Sequence, residues 1–476
     1  MDVLVYNIAY FIVEEIEQCT MIEEYVMSNM LKPSFYNKIY EINEKKWLFN
    51  TFNLGLREID DEIEKILSCS IINKELYSEE MGKNLVELED AGFIIQSQID
   101  ELKMLRYIYN TDKYNKDYLT ITILPTLDCN CECYYCFERE NKARTSFSKN
   151  QSFDLLGQSL LDFVNTKIRD TKNLSIAWFG GEPLLSFDVI EKLSIKFIEL
   201  ANKYGVHYTS SLTTNGYYLT DIPDIIERLK KCQIDSFQIT LDGAPEDHNR
   251  IRHLKGGHKE TFDKMLDGII LLYKNEMDIS VRINVSKKNL VNMPKLFDIL
   301  EENNLKNLKI YFGQLIDYSD KDNSDVYLDQ GEYGALIERL YRALRKRGFR
   351  YGLDDHYPSS ARPCIANRID TAVVDCYGNI YKCRSQVGEF EKTIGNVCDL
   401  ENQTVDEAMR EINWLEWTPF RYAVCRECKI LPICMGGCPF TLYDNDDALP
   451  ICDEWKYNLD FFVRQKILDM EEKNDE

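Results

Sequence analysis

Six short apolar stretches, each followed by a segment of helical periodicity, constrain the chain between residues 118 and 350 more than any other feature. Strands are expected at 119–125, 174–179, 207–213, 236–241, 280–285 and 308–312, with helices at 154–168, 189–201, 261–273 and 293–301. Strand–helix alternation of this kind makes a parallel sheet, because each helical crossover returns the chain in the same direction. Six units predict a partial (β/α)6 barrel, whose chemistry belongs on the loops at the carboxyl ends of the strands. Four unusual sequences fall at four successive ends: the cysteine run 129–136, Gly180-Gly181-Glu182-Pro183, Thr214-Asn215-Gly216 and Asp242-Gly243. Together they predict one site.

The 16 cysteines are unevenly spread: four lie in 129–136 and nine in 364–452. The first residues carry Asp2, Glu14 and Glu15 and no basic stretch, so no signal peptide is expected, and no apolar run is long enough to span a membrane. A cytoplasmic location follows as the expectation, where clustered thiols serve metals or redox chemistry rather than disulfides. A net charge of −23 argues against a nucleic-acid partner. Cys129, Cys133 and Cys136 form a CxxxCxxC loop, with Cys131 outside the spacing as a bystander. Three thiolates are one short of a 4Fe-4S cube, which leaves one iron free for a small molecule. Zinc with one further ligand also fits the bare spacing.

The triplet, with Tyr135 before its last cysteine and Gly180-Gly181-Glu182-Pro183 after the next strand, resembles the signature of the radical SAM superfamily. The resemblance implies a 4Fe-4S cluster on Cys129, Cys133 and Cys136, with S-adenosylmethionine chelated at the open iron. Tyr135 joins the cofactor site. Gly180, Gly181, Glu182 and Pro183 would bind the methionine ammonium, the glycines allowing close approach and Glu182 accepting its hydrogen bonds. Asn215 and Thr240 stand where relatives have groups near the cosubstrate; a structural turn role is an equal alternative for both. His248 and Arg252 complete a resemblance to the family's LDG…H…R segment, without an assigned role.

Downstream, Cys364, Gly378 and Cys383, then Cys425, Cys428, Cys434, Cys438 and Cys452, resemble the seven-cysteine SPASM pattern of radical SAM enzymes that act on peptides and proteins. That likeness implies two auxiliary 4Fe-4S clusters, one on Cys425, Cys428, Cys434 and Cys452, the other on Cys364, Cys383 and Cys438. Some relatives have a further cysteine where this chain has Asp370, so the second cluster is expected to keep an open iron for a substrate thiolate, unless Cys376 or Cys398 fills it. Arg384 replaces the aspartate typical of anaerobic sulfatase maturases.

Residues 1–29 are expected to form a helical extension ended by Lys32-Pro33-Ser34. Strands at 38–42 and 47–52, joined by Asn43-Glu44-Lys45, and helices at 60–67 and 79–91 with Gly92 as the stop predict a small winged-helix-like module, followed by a polar linker at 110–117. The module resembles the RiPP recognition element, in which a leader peptide adds a strand to a sheet edge. A small domain that only packs on the barrel is the alternative.

The expected fold class is therefore α/β: a partial (β/α)6 barrel with an N-terminal winged-helix-like module and a cysteine-rich iron–sulfur C-terminal domain. Its divisions are 1–29 extension, 30–110 leader-binding module, 118–350 barrel, 351–460 SPASM domain and 461–476 helical tail, the tail packing on the barrel. The resemblance implies a maturase that uses a 5′-deoxyadenosyl radical to take hydrogen from a ribosomally made precursor peptide and form a cysteine thioether. It would be fed electrons by an external donor such as flavodoxin or ferredoxin, and no side chain is assigned as a catalytic acid or base. Alternatives are maturation of a protein substrate, of the sulfatase or quinohemoprotein type, and a non-catalytic zinc or peptide-binding scaffold.

Overall fold

The computed structural model describes residues 30–136, 153–257, 260–315, 326–349, 357–440 and 451–474; the extension expected over 1–29 lies outside them. The first module contains six strands: β1 (Met30–Pro33), β2 (Asn37–Ile42), β3 (Lys45–Asn50), β4 (Leu56–Ile59), β5 (Ile72–Asn73) and β6 (Ile94–Gln96). They make two antiparallel sheets, ordered β5-β1-β6 and β2-β3-β4. Asn43 and Glu44 both take positive φ, the geometry of a two-residue hairpin turn between β2 and β3. The helices Asp61–Leu67 and Glu79–Asp90 start at side-chain caps from Asp60 and Ser78. Gly92, at φ +70, follows the second.

Two expectations for this region need correction. Pro33 does not break a helix; it is the last residue of β1, opposite Ile94, where its missing N–H costs the ladder little. Part of the expected linker is a helix, Glu101–Lys113, capped by Asp100. Its buried stripe is only Leu105, Tyr109 and Lys113, too narrow and too polar to stand out in the sequence.

The six expected barrel strands are present: β7 (Tyr118–Ile123), β8 (Asn173–Trp178), β9 (His207–Thr214), β10 (Ile234–Thr240), β11 (Asp278–Val285) and β12 (Lys309–Gln314). Each pairs in parallel with its chain neighbour. One face of each strand, such as Leu119, Ile121 and Ile123 or Leu174, Ile176 and Trp178, is buried in the main core with Ile190, Leu193 and Phe197 of the helix Phe187–Tyr204. The alternate positions are mostly polar, as with Thr120 and Thr122 on β7. Across that face Tyr311 donates to Gln238 Oε1 at 2.6 Å.

The sheet does not close on itself. At its open edge β7 pairs in parallel with β13 (Thr371–Val374), and β14 (Asn379–Tyr381) and β15 (Gly395–Asn396) extend it to nine strands in the order β12-β11-β10-β9-β8-β7-β13-β14-β15. The cysteine-rich region thus continues the barrel sheet. The last helix, Trp455–Asn474, packs on the helix Gln330–Lys346, with the Tyr341 and Phe462 rings 5.3 Å apart. It also reaches the first module, where Asp460 accepts from Lys38 Nζ at 2.6 Å and from Tyr40 OH at 2.8 Å. Lys429 Nζ donates to Asn37 O at 2.7 Å, and Lys113 Nζ to Trp417 O at 3.1 Å. The first module therefore sits on the C-terminal region.

Candidate active site

The cysteine loop leaves β7 and runs beside residues 253–255. Glu132 N donates to His253 O at 2.9 Å, Lys255 N donates to Asn130 O at 2.8 Å, and Cys131 forms an isolated bridge with Leu254. On its other side the loop after β8 is pressed against it: Gly181 N donates to Thr126 O and Glu182 N to Asp128 O at 2.8 Å. A Cβ on Gly180, which has φ +122, would overlap Thr126 O; one on Gly181 would overlap Asp128 O and stand 2.7 Å from Leu127 O. The close approach these glycines permit is thus to the backbone of the cysteine loop.

Glu182 is fully buried and caps the short turn Pro183–Ser186, accepting from Leu184 N at 3.0 Å. It also accepts from Thr214 Oγ1 at 2.6 Å and Asn215 N at 2.7 Å, and it faces Cys129. A carboxylate offers about four acceptor positions, so about one remains for a ligand cation. Burial pushes its pKa up, and the three donors pull it down. Asn215 reaches back to the loop: Nδ2 donates to Asn130 Oδ1 at 2.7 Å and lies 3.6 Å from Cys131 Sγ and 3.9 Å from Cys129 Sγ. Thr240 is buried at the end of β10, paired in register with Arg282.

Tyr135 is held on three sides. Its hydroxyl donates to Asp242 Oδ2 and accepts from Arg252 Nη1 at 2.6 Å and Asn284 Nδ2 at 3.0 Å. Thr214 and Asp242 belong to strand-end sequences expected at this site, though without a role of their own, and Arg252 and Asn284 were given none. The LDG…H…R pattern pointed to Asp242 and Arg252, while nothing local marks Asn284.

Cys133 neighbours Cys129, Cys136 and Arg252; burial pushes its thiol up to about 12, opposed by the Arg252 charge. A hydrogen bond with the Cys131 thiol, then burial, raises Cys129. In the C-terminal region burial pushes Cys364 up to about 11, with Cys383 and Cys438 beside it. Cys425 is likewise raised to about 11, with Cys434, Cys428 and Cys452 around it. Cys376 sits by Asp375, Leu127 and Asp128, on the side of the CxxxCxxC loop. The charges facing Asp370 are Lys167, Lys116, Lys382 and Arg368. Among the described residues no three His, Cys, Asp or Glu side chains close on a point suited to a single metal ion. Arg384 lies over the Phe179 ring, 5.1 Å from its centroid, so the segment after Cys383 reaches the loop that begins at Gly180.

The thiol triplet is an all-sulfur donor set, one ligand short of a full cube, with the buried carboxylate of Glu182 beside it. That chemistry fits a 4Fe-4S cluster with one open iron. Residues 123–298, which carry all four strand-end sequences, match the Radical SAM superfamily, and the chain is a radical SAM enzyme. It is similar to the radical SAM cyclopropyl synthase TigE of Paramaledivibacter caminithermalis, at 22% identity over 86% of this chain and 89% of that protein. It is also similar to the cysteine-type anaerobic sulfatase-maturating enzyme of Clostridium novyi, at 23% identity over 67% and 87%. Among solved structures, the sulfatase maturase anSMEcpe with bound AdoMet aligns with a TM-score of 0.57 at 20% identity, over 75% of this chain and 95% of that one. Streptococcus suis SuiB bound to precursor peptide SuiA aligns with a TM-score of 0.50 at 15% identity, over 88% and 99%.

Proposed function

We propose that this enzyme matures a ribosomally made precursor peptide, joining a cysteine sulfur to a carbon of the same peptide as a thioether. The coarser reading, a radical SAM maturase of peptides or proteins, is supported by relatives that mature sulfatases and by a structural neighbour bound to its precursor peptide. When bound, S-adenosylmethionine and the cluster on Cys129, Cys133 and Cys136 supply a 5′-deoxyadenosyl radical that takes a hydrogen atom from the peptide. Glu182, with about one acceptor position left, receives the methionine ammonium. Gly180, Gly181 and Pro183 fix Glu182 against the cysteine loop, Tyr135 and Asn215 hold the loop's shape, and Thr240 lines the end of β10.

The observation that carries the thioether reading is the group of three thiols, Cys364, Cys383 and Cys438; the first two flank β13 and β14, which continue the barrel sheet. Of the two cysteines that could fill the remaining position instead, Cys376 lies by Leu127 and Asp128 on the side of the CxxxCxxC loop, and Cys398 is exposed. Cys364, Cys383 and Cys438 would hold an auxiliary cluster with one iron left for a substrate thiolate, and such a cluster would supply an acceptor for one electron. Cys425, Cys428, Cys434 and Cys452 would hold the second auxiliary cluster, and flavodoxin or ferredoxin would serve as external donor. The first module would capture the leader as an added strand.

A sulfatase-type substrate is the second reading, favoured by the matches to maturases of that kind and opposed by Arg384. Mass spectrometry of a cysteine-containing peptide encoded beside this protein and co-expressed with it tests the choice. A loss of two hydrogens with a thiol that no longer alkylates is the expected result. An unchanged peptide together with an oxidised sulfatase residue would replace it with the second reading.

A further inference from the structure

The LDG…H…R segment has no part in the function described above, yet its polar side chains are largely buried. Asp242 and His248 are fully buried, and the Arg252 side chain is 11% exposed. Arg252 ends the helix Pro245–Ile251, its N–H donating to His248 O at 2.7 Å. Its guanidinium gives Nη1 to Tyr135 OH and stands 3.4 Å from Asp242 Oδ2. Its buried Nε has no hydrogen-bond partner.

The directions of these bonds are fixed. Arg252 and Asn284 can only donate through these nitrogens, so they fill both lone pairs of the Tyr135 oxygen, and its proton goes to Asp242. Asp242 is itself held from three sides. Asn284 N donates to its Oδ1 at 2.9 Å, Asn289 Nδ2 to its carbonyl at 3.0 Å, and its own N–H donates to His248 Nδ1 at 3.1 Å. Four segments therefore meet at one hydroxyl two residues beyond Cys133 and one before Cys136. Burying a guanidinium beside a single carboxylate costs several kcal/mol before pairing. A purely structural tie at this place would be cheaper if neutral. The cation is also a near neighbour of Cys133.

We propose that Arg252 is a positioning residue for the cysteine loop: it locks Tyr135 onto Asp242 and Asn284, so that the loop is shaped before iron arrives, and it holds a fixed cation beside Cys133. The cation half of this rests on the radical SAM reading; the clamp half does not. Lysine would keep the charge but lose the planar fork that spans Tyr135 and Asp242.

The clamp is read on the iron-free full-length chain, by the rate at which iodoacetamide labels Cys136. Arg252→Gln and Tyr135→Phe should each raise that rate about tenfold, the consequence of losing a charge-assisted hydrogen bond, with labelling of Cys425 unchanged. The cation is read on the reconstituted protein poised at a fixed potential. Arg252→Gln should lower the reduced-to-oxidised ratio of the loop's cluster about tenfold, which is about 59 mV for a one-electron couple. Arg252→Lys should restore it, and Tyr135→Phe should leave it within about threefold. Wild-type labelling together with a wild-type reduced fraction in Arg252→Gln overturns the proposal. If that variant fails to fold, wild-type labelling in Tyr135→Phe, which removes one oxygen, overturns it as well. A wild-type chain that takes up no iron would contradict the radical SAM reading instead, and the labelling of the iron-free chain would still decide the clamp.

Discussion

At the scale of single residues, the sequence carries what is local along the chain. The cysteine spacings and the Gly-Gly-Glu-Pro run are of that kind, and the fold brings them side by side. What the sequence does not carry is the partner of each group. Glu182 meets Thr214 and Asn215 across 32 and 33 residues, and Tyr135 meets Asn284 across 149. The glycines teach the same lesson: their type was readable as a need for close approach, but the surface approached is the cysteine loop itself. Gly181→Ala should therefore force the two loops apart, lowering stability by about 1–3 kcal/mol and sharply reducing iron bound per chain. Melting and iron analysis of the same preparation check this; full iron content in Gly181→Ala would show that the loops need not touch.

At the scale of elements, most of the barrel strands stand out in the sequence because an apolar face alternates with a largely polar one at strand period, β9 with its buried Ser210 and Thr214 being the weakest case. β13 does not, since Thr371–Val374 is four residues long and buried on both faces, a run without periodicity. Its consequence is measurable. Thr120 N donates to Asp370 O and Leu124 N to Val374 O, so the open edge of β7 is paired. In hydrogen exchange these two amides should be protected like the centre of the sheet; exchange as fast as a free edge would mean the cysteine-rich region is not part of it. The helix Trp455–Asn474 was expected, but not its hold on β2. Asp460→Ala should cost about 0.5–1 kcal/mol in urea unfolding, the range of a largely exposed ion pair.

At the scale of the whole molecule, the order of module, barrel and cysteine-rich region follows from composition along the chain, whereas the contact of its two ends does not. Lys113 lies in that contact, and burial lowers its pKa to about 8 from 10.5. Below pH 8 folded and unfolded chains both carry the proton, and the fold bears the cost of a buried cation. Between about pH 8 and 10.5 the unfolded chain binds more protons, so stability rises with pH. The melting temperature of the wild type should gain on that of Lys113→Met between pH 7 and about pH 9.5, and a constant difference would place the charge in water. Among the described residues no helix is long and apolar enough to cross a membrane. All these scales converge on the CxxxCxxC loop, wedged between the Gly180–Pro183 loop and the Arg252 segment. The most direct measurement is 5′-deoxyadenosine formation from S-adenosylmethionine by the anaerobically reconstituted, chemically reduced full chain. The wild type should form it, and the chain with Cys129, Cys133 and Cys136 all replaced by alanine should form none. Deoxyadenosine from that variant at the wild-type rate, or none from an iron-loaded wild type, would contradict the account.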